Sequence, residues 1–327
     1  MIGGADELRD FAARLLAAAG APPEAAELTA ASLVDADTRG HGSHGVQLVP
    51  GYAQRLRDGR LDGAAAPQIV RDDGATVVVD ANRSLGQTAA SWLAALAAER
   101  AQLHGVAALG VRRCGHLGRL HDLATLVADR GPICLVFAND AGRNAIVVPY
   151  HGTEPRLATN PIAVGIPRRS EPHLVLDMAT SATSHGGLLV SRAEGRPDGP
   201  GRAEGDVLLP AAGAKGFGLG LVAEVLGGVL SGAGHVGDPA EVDYQGILLV
   251  AIDLERFAPG EQFVDGVEQV VSAVKRGNPN VRVPGEAGAA AAEAAAGRIH
   301  VPRSTWARLV SLAEESGVSI PPIEEEQ

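Results

Sequence analysis

The stretch Gly213-Ala-Lys-Gly-Phe-Gly-Leu-Gly220 decides between two kinds of α/β chain. It holds the glycines of a G-x-G-x-x-G turn and leads into an apolar run, Lys215 to Leu230, that reads as a glycine-rich helix. A doubly wound dinucleotide fold needs that turn to follow a strand and open a helix, with an acid at a set distance downstream. Here the turn follows Leu208-Leu-Pro210, and the downstream strand and acid are missing at that distance. A phosphate-binding P-loop fails as well, because Lys215 is followed by Gly216. Two readings stay open. A lysine among free backbone N–H groups at a helix start suits a phosphate; alternatively the glycines serve close packing and Lys215 is solvated.

Working outward, Leu8, Phe11, Ala12, Leu15 and Leu16 mark one face of a helix that stops at Gly20. Pro22 and Pro23 open a second helix through about Ala36. From Thr76 the texture changes to short apolar, β-branched runs: Thr76 to Asp80, Val106 to Val111, Ile133 to Phe137, Ile162 to Ile166, Leu174 to Asp177 and Gly246 to Asp253. Gln87 to His104, Gln262 to Lys275 and Ser304 to Glu315 read as helices, and Ala287 to Ala296 as an exposed helix or linker. The ends are helical and the middle carries the strands, which is an α/β or α+β chain. The tail from Glu324 to Gln327 reads as disordered.

The 327 residues carry a net charge of −11 and include 42 Gly and 20 Pro. A strongly acidic chain is a poor partner for nucleic acid, and an anionic substrate needs a locally basic pocket against that field. No apolar run reaches the ~18 residues of a membrane span. The N-terminus carries Asp6 and Glu7 where a signal peptide has basic residues. Cys114 and Cys134 make neither a disulfide framework nor a zinc site, and Cys114 reads as a small buried side chain. The expected location is the cytoplasm.

Histidine clusters in two places, His41-Gly-Ser-His44 and His116 with His121. No acidic cluster supports a metal there, so none is expected. Acid–base work by His116, in a glycine-flanked loop after a strand, stands beside a plain surface histidine. Ser43 next to His44 is no nucleophile pair, since adjacent residues rarely point at one another; Ser43 reads as the N-cap of a helix from Gly45 to Leu56.

Six blocks in order resemble the type-2 malate/L-lactate dehydrogenases, a family that includes ureidoglycolate and sulfolactate dehydrogenases and piperideine-2-carboxylate reductases. They are Asp37-Thr-Arg-Gly-His-Gly-Ser-His-Gly-Val46 with Pro50 and Tyr52, Gly115-His-Leu-Gly118, Thr159-Asn-Pro161, Asp177-Met-Ala-Thr-Ser181, Leu209-Pro210 with Gly213-x-Lys-Gly216, and Pro284-Gly-Glu286. The resemblance covers nearly the whole chain. It implies a non-Rossmann NAD(P)-binding domain on a mostly antiparallel sheet, residues 73–282, and a helical domain from both ends, residues 1–72 and 283–327. It also implies a homodimer and an oxidoreductase moving a hydride between NAD or NADP and a 2-oxo acid, 2-hydroxy acid or cyclic imine carboxylate. His116 then stands as general acid/base, with Ser43 and His44 beside the substrate and nicotinamide. Thr159 and Asn160 stand as pocket residues. Asp177, Met178, Ala179, Lys215, Gly216, Pro284, Gly285 and Glu286 stand as cofactor contacts.

The departures fall on the substrate side. Where the family usually has a carboxylate-binding arginine, this chain has Leu48; the acid before the Ser-His pair is Gly42. Arg119 and His121 stand where many members have an aromatic, and no lysine stands near Gly187. The segment Glu194 to Asp206 is short, and Asn139 to Val148 is extended. Arg39, Arg113, Arg119 or Arg143 are candidates to replace the arginine; Arg143, Arg192 or Arg202 are candidates for a 2′-phosphate contact. The pocket is therefore expected to be atypical and the substrate other than malate or lactate. A scaffold that binds the dinucleotide or a ligand without net turnover is the competing reading.

Overall fold

The computed structural model describes residues 1–141, 145–184, 186–187, 207–238 and 244–325. Nine strands and nine helices carry the argument below. A seven-stranded sheet runs in the order β2 (Gln68–Asp73), β3 (Thr76–Asp80), β4 (Val106–Cys114), β8 (Gln245–Ile252), β5 (Ile133–Asp140), β6 (Ile162–Ile166), β7 (Leu174–Met178). Every neighbouring pair is antiparallel except β3–β4. A two-stranded ribbon pairs β1 (Ile2–Gly4) with β9 (Arg298–His300). The chain is thus mixed α/β, and the strands read from the sequence all fall within this sheet.

Two helices cover one face of the sheet. They are α4 (Gly86–His104), ended by Gly105 at φ +88°, and α5 (Leu120–Ala128). Leu93, Ala97 and Leu123 pack there against Val79, Leu109, Val136 and Leu249, all fully buried. Helix α5 went unread in the sequence; only two turns long, it begins inside the histidine loop. The other face takes α6 (Ala214–Ala223) and its π-helical continuation Glu224–Val229. A Cβ on Gly227 would lie 2.9 Å from Asn139 N, and one on Gly228 2.3 Å from Asn139 Nδ2. Gly227 lets this helix rest on the backbone of β5 and Gly228 makes room for the Asn139 carboxamide, whereas Gly218 faces open space.

The helical layer joins both ends of the chain: α1 (Ala5–Ala18), α2 (Pro23–Thr38), α3 (Val49–Arg57) and α9 (Arg303–Ser316). Leu8, Phe11, Leu15, Leu33, Val49, Tyr52, Trp306 and Leu309 share one core. Each large apolar side chain so buried contributes ~1.5–3 kcal/mol. Glu324 is not disordered as expected: its N–H and C=O pair with Ile2 at 3.0 and 2.9 Å. The remaining helices are α7 (Gly260–Lys275) and α8 (Glu286–Ala295), the latter with no buried residue, in keeping with an exposed helix. Both cysteines are buried free thiols, and burial pushes each up to about 12. Among the described residues no helix is long and apolar enough to cross a membrane.

Candidate active site

His116 is placed by a defect in a strand. The pairing of β4 with β8 slips between Val111 and Cys114, with Arg113 at φ +52°, and the bulge turns the chain into the loop Gly115–Gly118. That loop lies against the start of α4. A Cβ on Gly86 would sit 2.2 Å from His116 O, and one on Gly115 2.4 Å from Ser84 O. Leu117 N donates to Gln245 Oε1 at 2.9 Å, tying the loop to β8.

The imidazole then meets the helical layer. Tyr52 Oη lies 2.6 Å from His116 Nδ1, and Gly118 N–H donates to the same nitrogen at 3.3 Å. An amide N–H can only donate, so Nδ1 is the acceptor and the neutral ring carries its proton on Nε2. Burial raises the Tyr52 phenol far above its ordinary value, which keeps it an O–H donor. The His44 ring stacks on His116 with centroids 5.9 Å apart and planes 12° apart.

Ser43 and His44 overturn two expectations. Neighbours in sequence do face each other here: Ser43 Oγ and His44 Nδ1 are 2.8 Å apart. The tight 3-10 turn Gly42–His44 folds the side chains together. Ser43 caps no helix, because a second turn, Val46–Leu48, intervenes before α3 begins at Val49. Burial, then Arg119 and His41, lower His44 to about 4, so it is neutral at pH 7. Beneath the turn Asp37 accepts from Val46 N–H at 2.8 Å, and burial raises it to about 7 despite that bond. Its carboxylate fills the space where a Cβ on Gly45 would lie, 1.9 Å from Asp37 Oδ1.

These groups open into a cavity of about 360 Å³, in the range of a small-molecule site. Its lining includes Ser43, His44, Tyr52, His116, Thr159 and Asp140, with apolar wall from Leu48, Ile146, Ala158 and Pro161. Arg55 and Arg308 supply its cationic side chains, and sequence reading missed both. A helical-face plot from Leu48 would have found Arg55; nothing local could have found Arg308. The arginines named from the sequence lie elsewhere. Arg119 is 3 % exposed and pairs with Asp35 and Asp122, each at 2.6 Å. Arg39 pairs with Asp35 and Arg113 with Asp80. Arg143, Arg192, Arg202 and the segment Glu194 to Asp206 lie outside the described residues.

The other candidate positions separate into two sets. Thr159 lines the cavity, whereas Asn160 turns inward, its Nδ2 donating to Glu224 Oε2 at 2.7 Å and Gly220 O at 3.0 Å. The proposed cofactor positions follow β7, the sheet edge. Pro284 O accepts from Val175 N at its start, and a Cβ on Gly285 (φ +99°) would meet His173 O at 2.5 Å. Asp177 farther along accepts from His121 N at the start of α5, and Met178 and Ala179 follow. Thr180 bonds Thr159 O on one side, while its own O accepts from Ala211 N and presses on Gly216. Lys215 stands exposed at the start of α6. Glu286 is taken by Lys275 and Arg168, with Val283 N–H on its other oxygen, so it braces its own segment. Among the described residues no cluster of His, Cys, Asp and Glu could hold a metal.

A nicotinamide cofactor is tested by two features. Gln47, 7 % exposed and part of the cavity lining, keeps its Nε2 without a partner among the described residues, a buried donor that awaits an acceptor. A Cβ on Gly186 would strike Ser43 O at 2.3 Å, so that wall admits backbone only. A group with a hydrogen-bond acceptor, such as a carboxamide, fits that donor.

The comparisons agree with this architecture. The profile of the family described as malate/L-lactate dehydrogenase matches residues 4–310. L-lactate dehydrogenase of Cupriavidus necator is 32 % identical over 96 % of this chain and 97 % of its own. The Δ(1)-pyrroline-2-carboxylate/Δ(1)-piperideine-2-carboxylate reductase of Pseudomonas syringae pv. tomato is 33 % identical over 86 % and 87 %. Among solved structures, malate dehydrogenase of Pyrococcus horikoshii superposes with a TM-score of 0.87 at 27 % identity, covering 98 % of this chain and 96 % of that one. With a family profile matching residues 4–310 and relatives aligned along most of both chains, the chain belongs to the malate/L-lactate dehydrogenase family and is an oxidoreductase.

Proposed function

We propose that this enzyme transfers a hydride between NAD or NADP and a 2-oxo acid, its 2-hydroxy acid or a cyclic imine carboxylate. The observation that carries the mechanism is the Tyr52–His116 pair at 2.6 Å, opening on a half-apolar cavity. A bound nicotinamide supplies or accepts the hydride. His116 offers its Nε2 proton to the oxygen or nitrogen on which charge develops, and takes it back in the reverse direction. Tyr52 and Gly118 hold the tautomer that makes this possible. Ser43 and His44, neutral and bonded to each other, shape the polar wall beside it. Leu48, Ile146 and Pro161 exclude water around the reacting carbon. The relatives' names are those of dehydrogenases and a reductase, which favours turnover over a scaffold that only binds.

The β7 edge supports a cofactor path from Pro284 and Gly285, past Asp177, Met178 and Ala179, to Lys215 and Gly216. At ~3.3 Å per residue, Val175 to Thr180 spans ~16 Å, room for an extended ligand. Lys215 at a helix start suits its phosphates. Within this reading, residues 73–282 form a non-Rossmann cofactor domain and 1–72 with 283–327 a helical domain. Strand β2, which begins at Gln68, couples the two. A homodimer is supported by Val222, Val225 and Val229, which share one face of α6 and its continuation and are 48, 47 and 56 % exposed. The acidic charge speaks against a nucleic-acid partner, and the reduced buried thiols are in keeping with the cytoplasm.

Fluorescence titration with NADH and NADPH, on the wild type, His116→Ala and Lys215→Ala, tests this reading. Saturable binding of one cofactor, weakened by Lys215→Ala and kept by His116→Ala, is expected. Folded protein that binds neither cofactor would overturn it.

A further inference from the structure

Gln245 opens β8 at a position the sheet register fixes. Its partners across the ladder are Cys114 of β4 on one side and Asp140 of β5 on the other, and it is 7 % exposed. Its Oε1 accepts from Leu117 N–H at 2.9 Å. An amide N–H can only donate, so the carboxamide is oriented: Oε1 faces the histidine loop, and the N–H2 group is the end left over. Nε2 has no partner among the described residues, and Gln245 lines the cavity together with His116 and Thr159. Neighbouring polar groups are already engaged. Asn139 gives Nδ2 to Glu224 and Gly234 O and takes Gly246 N–H on Oδ1. His44 is bonded to Ser43, and both Asp140 and Arg55 have partners. Arg308 is an exposed side chain of α9.

The side chain tied to the residue after His116 thus carries a neutral donor in the same cavity. A carbonyl oxygen has two lone pairs and can accept from both groups at once. An imine nitrogen has a single lone pair, which the His116 proton takes up, and an iminium N–H has none and opposes another donor. We propose that Gln245 Nε2 is the second donor to the reacting oxygen, and that it selects a 2-oxo acid or its 2-hydroxy acid over a cyclic imine carboxylate. The inference rests on the hydride-transfer reading and narrows its substrate class. In reduction the carbonyl carbon gains the hydride, the nicotinamide that gives it is oxidised, and the C=O π pair moves onto oxygen. That oxygen takes the proton held at His116 Nε2, which solvent restores. Gln245 keeps its hydrogens throughout, and its bond strengthens as charge grows on the oxygen. Being uncharged, it does this whatever the balance among Asp140, Arg55 and Arg308.

Two readouts test the donor, one of them without turnover. Calorimetry on protein with and without oxidised cofactor compares oxamate, whose carbonyl oxygen has two lone pairs, with picolinate, whose ring nitrogen has one. Steady-state oxidation of reduced cofactor compares pyruvate, 2-oxobutyrate, 2-oxoglutarate and phenylpyruvate with Δ(1)-piperideine-2-carboxylate and Δ(1)-pyrroline-2-carboxylate. Wild type, Gln245→Met and Gln245→Glu are used; the last keeps an acceptor for Leu117 N–H and so keeps the loop. Wild type is expected to bind oxamate more tightly than picolinate and to prefer a 2-oxo acid to either imine. Gln245→Met weakens oxamate about tenfold, with picolinate unchanged. It lowers kcat for the 2-oxo acid about 10²-fold. Gln245→Glu is equally slow at neutral pH, but its activity relative to wild type climbs as pH falls and the carboxyl regains a donor proton. His44, His116, Asp140, Arg55 and Arg308, which line the same cavity, are common to both proteins, so that ratio isolates position 245. No loss, equal losses for both probes, a ratio flat with pH, or a wild type that prefers an imine overturns the donor role and leaves hydride transfer standing. Binding that is selective for oxamate and depends on Gln245, without cofactor oxidation by any substrate, upholds the donor and overturns hydride transfer. Binding of neither probe together with oxidation by neither substrate class overturns both.

Discussion

Tyr52 Oη stands 2.6 Å from His116 Nδ1, joining α3 in the helical layer to the loop that leaves β4. The hydroxyl and the imidazole come from chain positions 64 residues apart. Neither core alone fixes the tautomer of His116; the contact between the two layers does. Replacing Tyr52 by Phe leaves Gly118 N–H on Nδ1 but removes the stronger partner. A fall in kcat of about tenfold is expected, with cofactor affinity retained. A lowered melting temperature with kcat untouched would reduce Tyr52 to a packing residue.

His116 itself carries the larger effect. His116→Gln keeps a polar group in the loop but cannot exchange a proton near neutrality. Loss of 10²- to 10⁴-fold in kcat is expected, as for other general acid–base residues. Single-turnover kinetics with preloaded cofactor isolate that step, and near-normal turnover would remove His116 from the chemistry.

Glu224 is the buried hinge of the wall opposite. Its carboxylate accepts from Asn160 Nδ2 at 2.7 Å, Asn139 Nδ2 at 3.3 Å and Val236 N at 2.7 Å, at the start of the π-helical turn. Asn139 and the adjoining Asp140 line the cavity, and Asn160 lies between the cavity residues Thr159 and Pro161. Glu224→Ala removes an acceptor from three donors, of which Asn139 Nδ2 keeps Gly234 O and Asn160 Nδ2 keeps Gly220 O, and should cost about 1–3 kcal/mol by chemical denaturation. Glu224→Gln keeps two acceptor lone pairs, so it should recover part of the stability. If Glu224 positions the wall, the recovered protein still shows a raised KM.

Asp37 and His44 set opposite pH slopes on stability. Asp37 rises from the usual carboxylate value to about 7 on folding, so its stabilisation is complete below about pH 4 and is lost as pH climbs to 7. His44 falls to about 4, so its contribution is present above about pH 6.5 and is lost as pH drops towards 4. Both groups are only partly enclosed, so each slope amounts to on the order of 1–2 kcal/mol. Asp37→Asn should flatten the first slope and His44→Gln the second, read as melting temperature against pH. An imidazole NMR signal from His44 that titrates near 6.5 would contradict its lowered value.

What the sequence disclosed followed locality. Strands such as Ile162–Ile166 and helices such as α2 were legible because apolar periodicity and proline placement are local signals. The Ser-His pair was misread because a 3-10 turn reverses the rule drawn from extended or helical neighbours. Helix α5 is too short to show its period, and β1 and β9 are three residues each. Arg308 could not be found at all, because its place depends on how α9 docks on α3, and Glu224 gave no hint that two distant asparagines would need it.

The glycine-padded contact between α6, its continuation and β5 has a mechanical consequence. Side chains normally form a compliant layer between helix and sheet; at Gly227 backbone meets backbone, and at Gly228 the backbone meets the Asn139 carboxamide. A push or pull at Lys215, where a phosphate is expected, therefore has no soft material in which to dissipate before it reaches Asn139. The helix works as a stiff push-rod lying along the sheet, and its seat adjoins the cavity at Asp140.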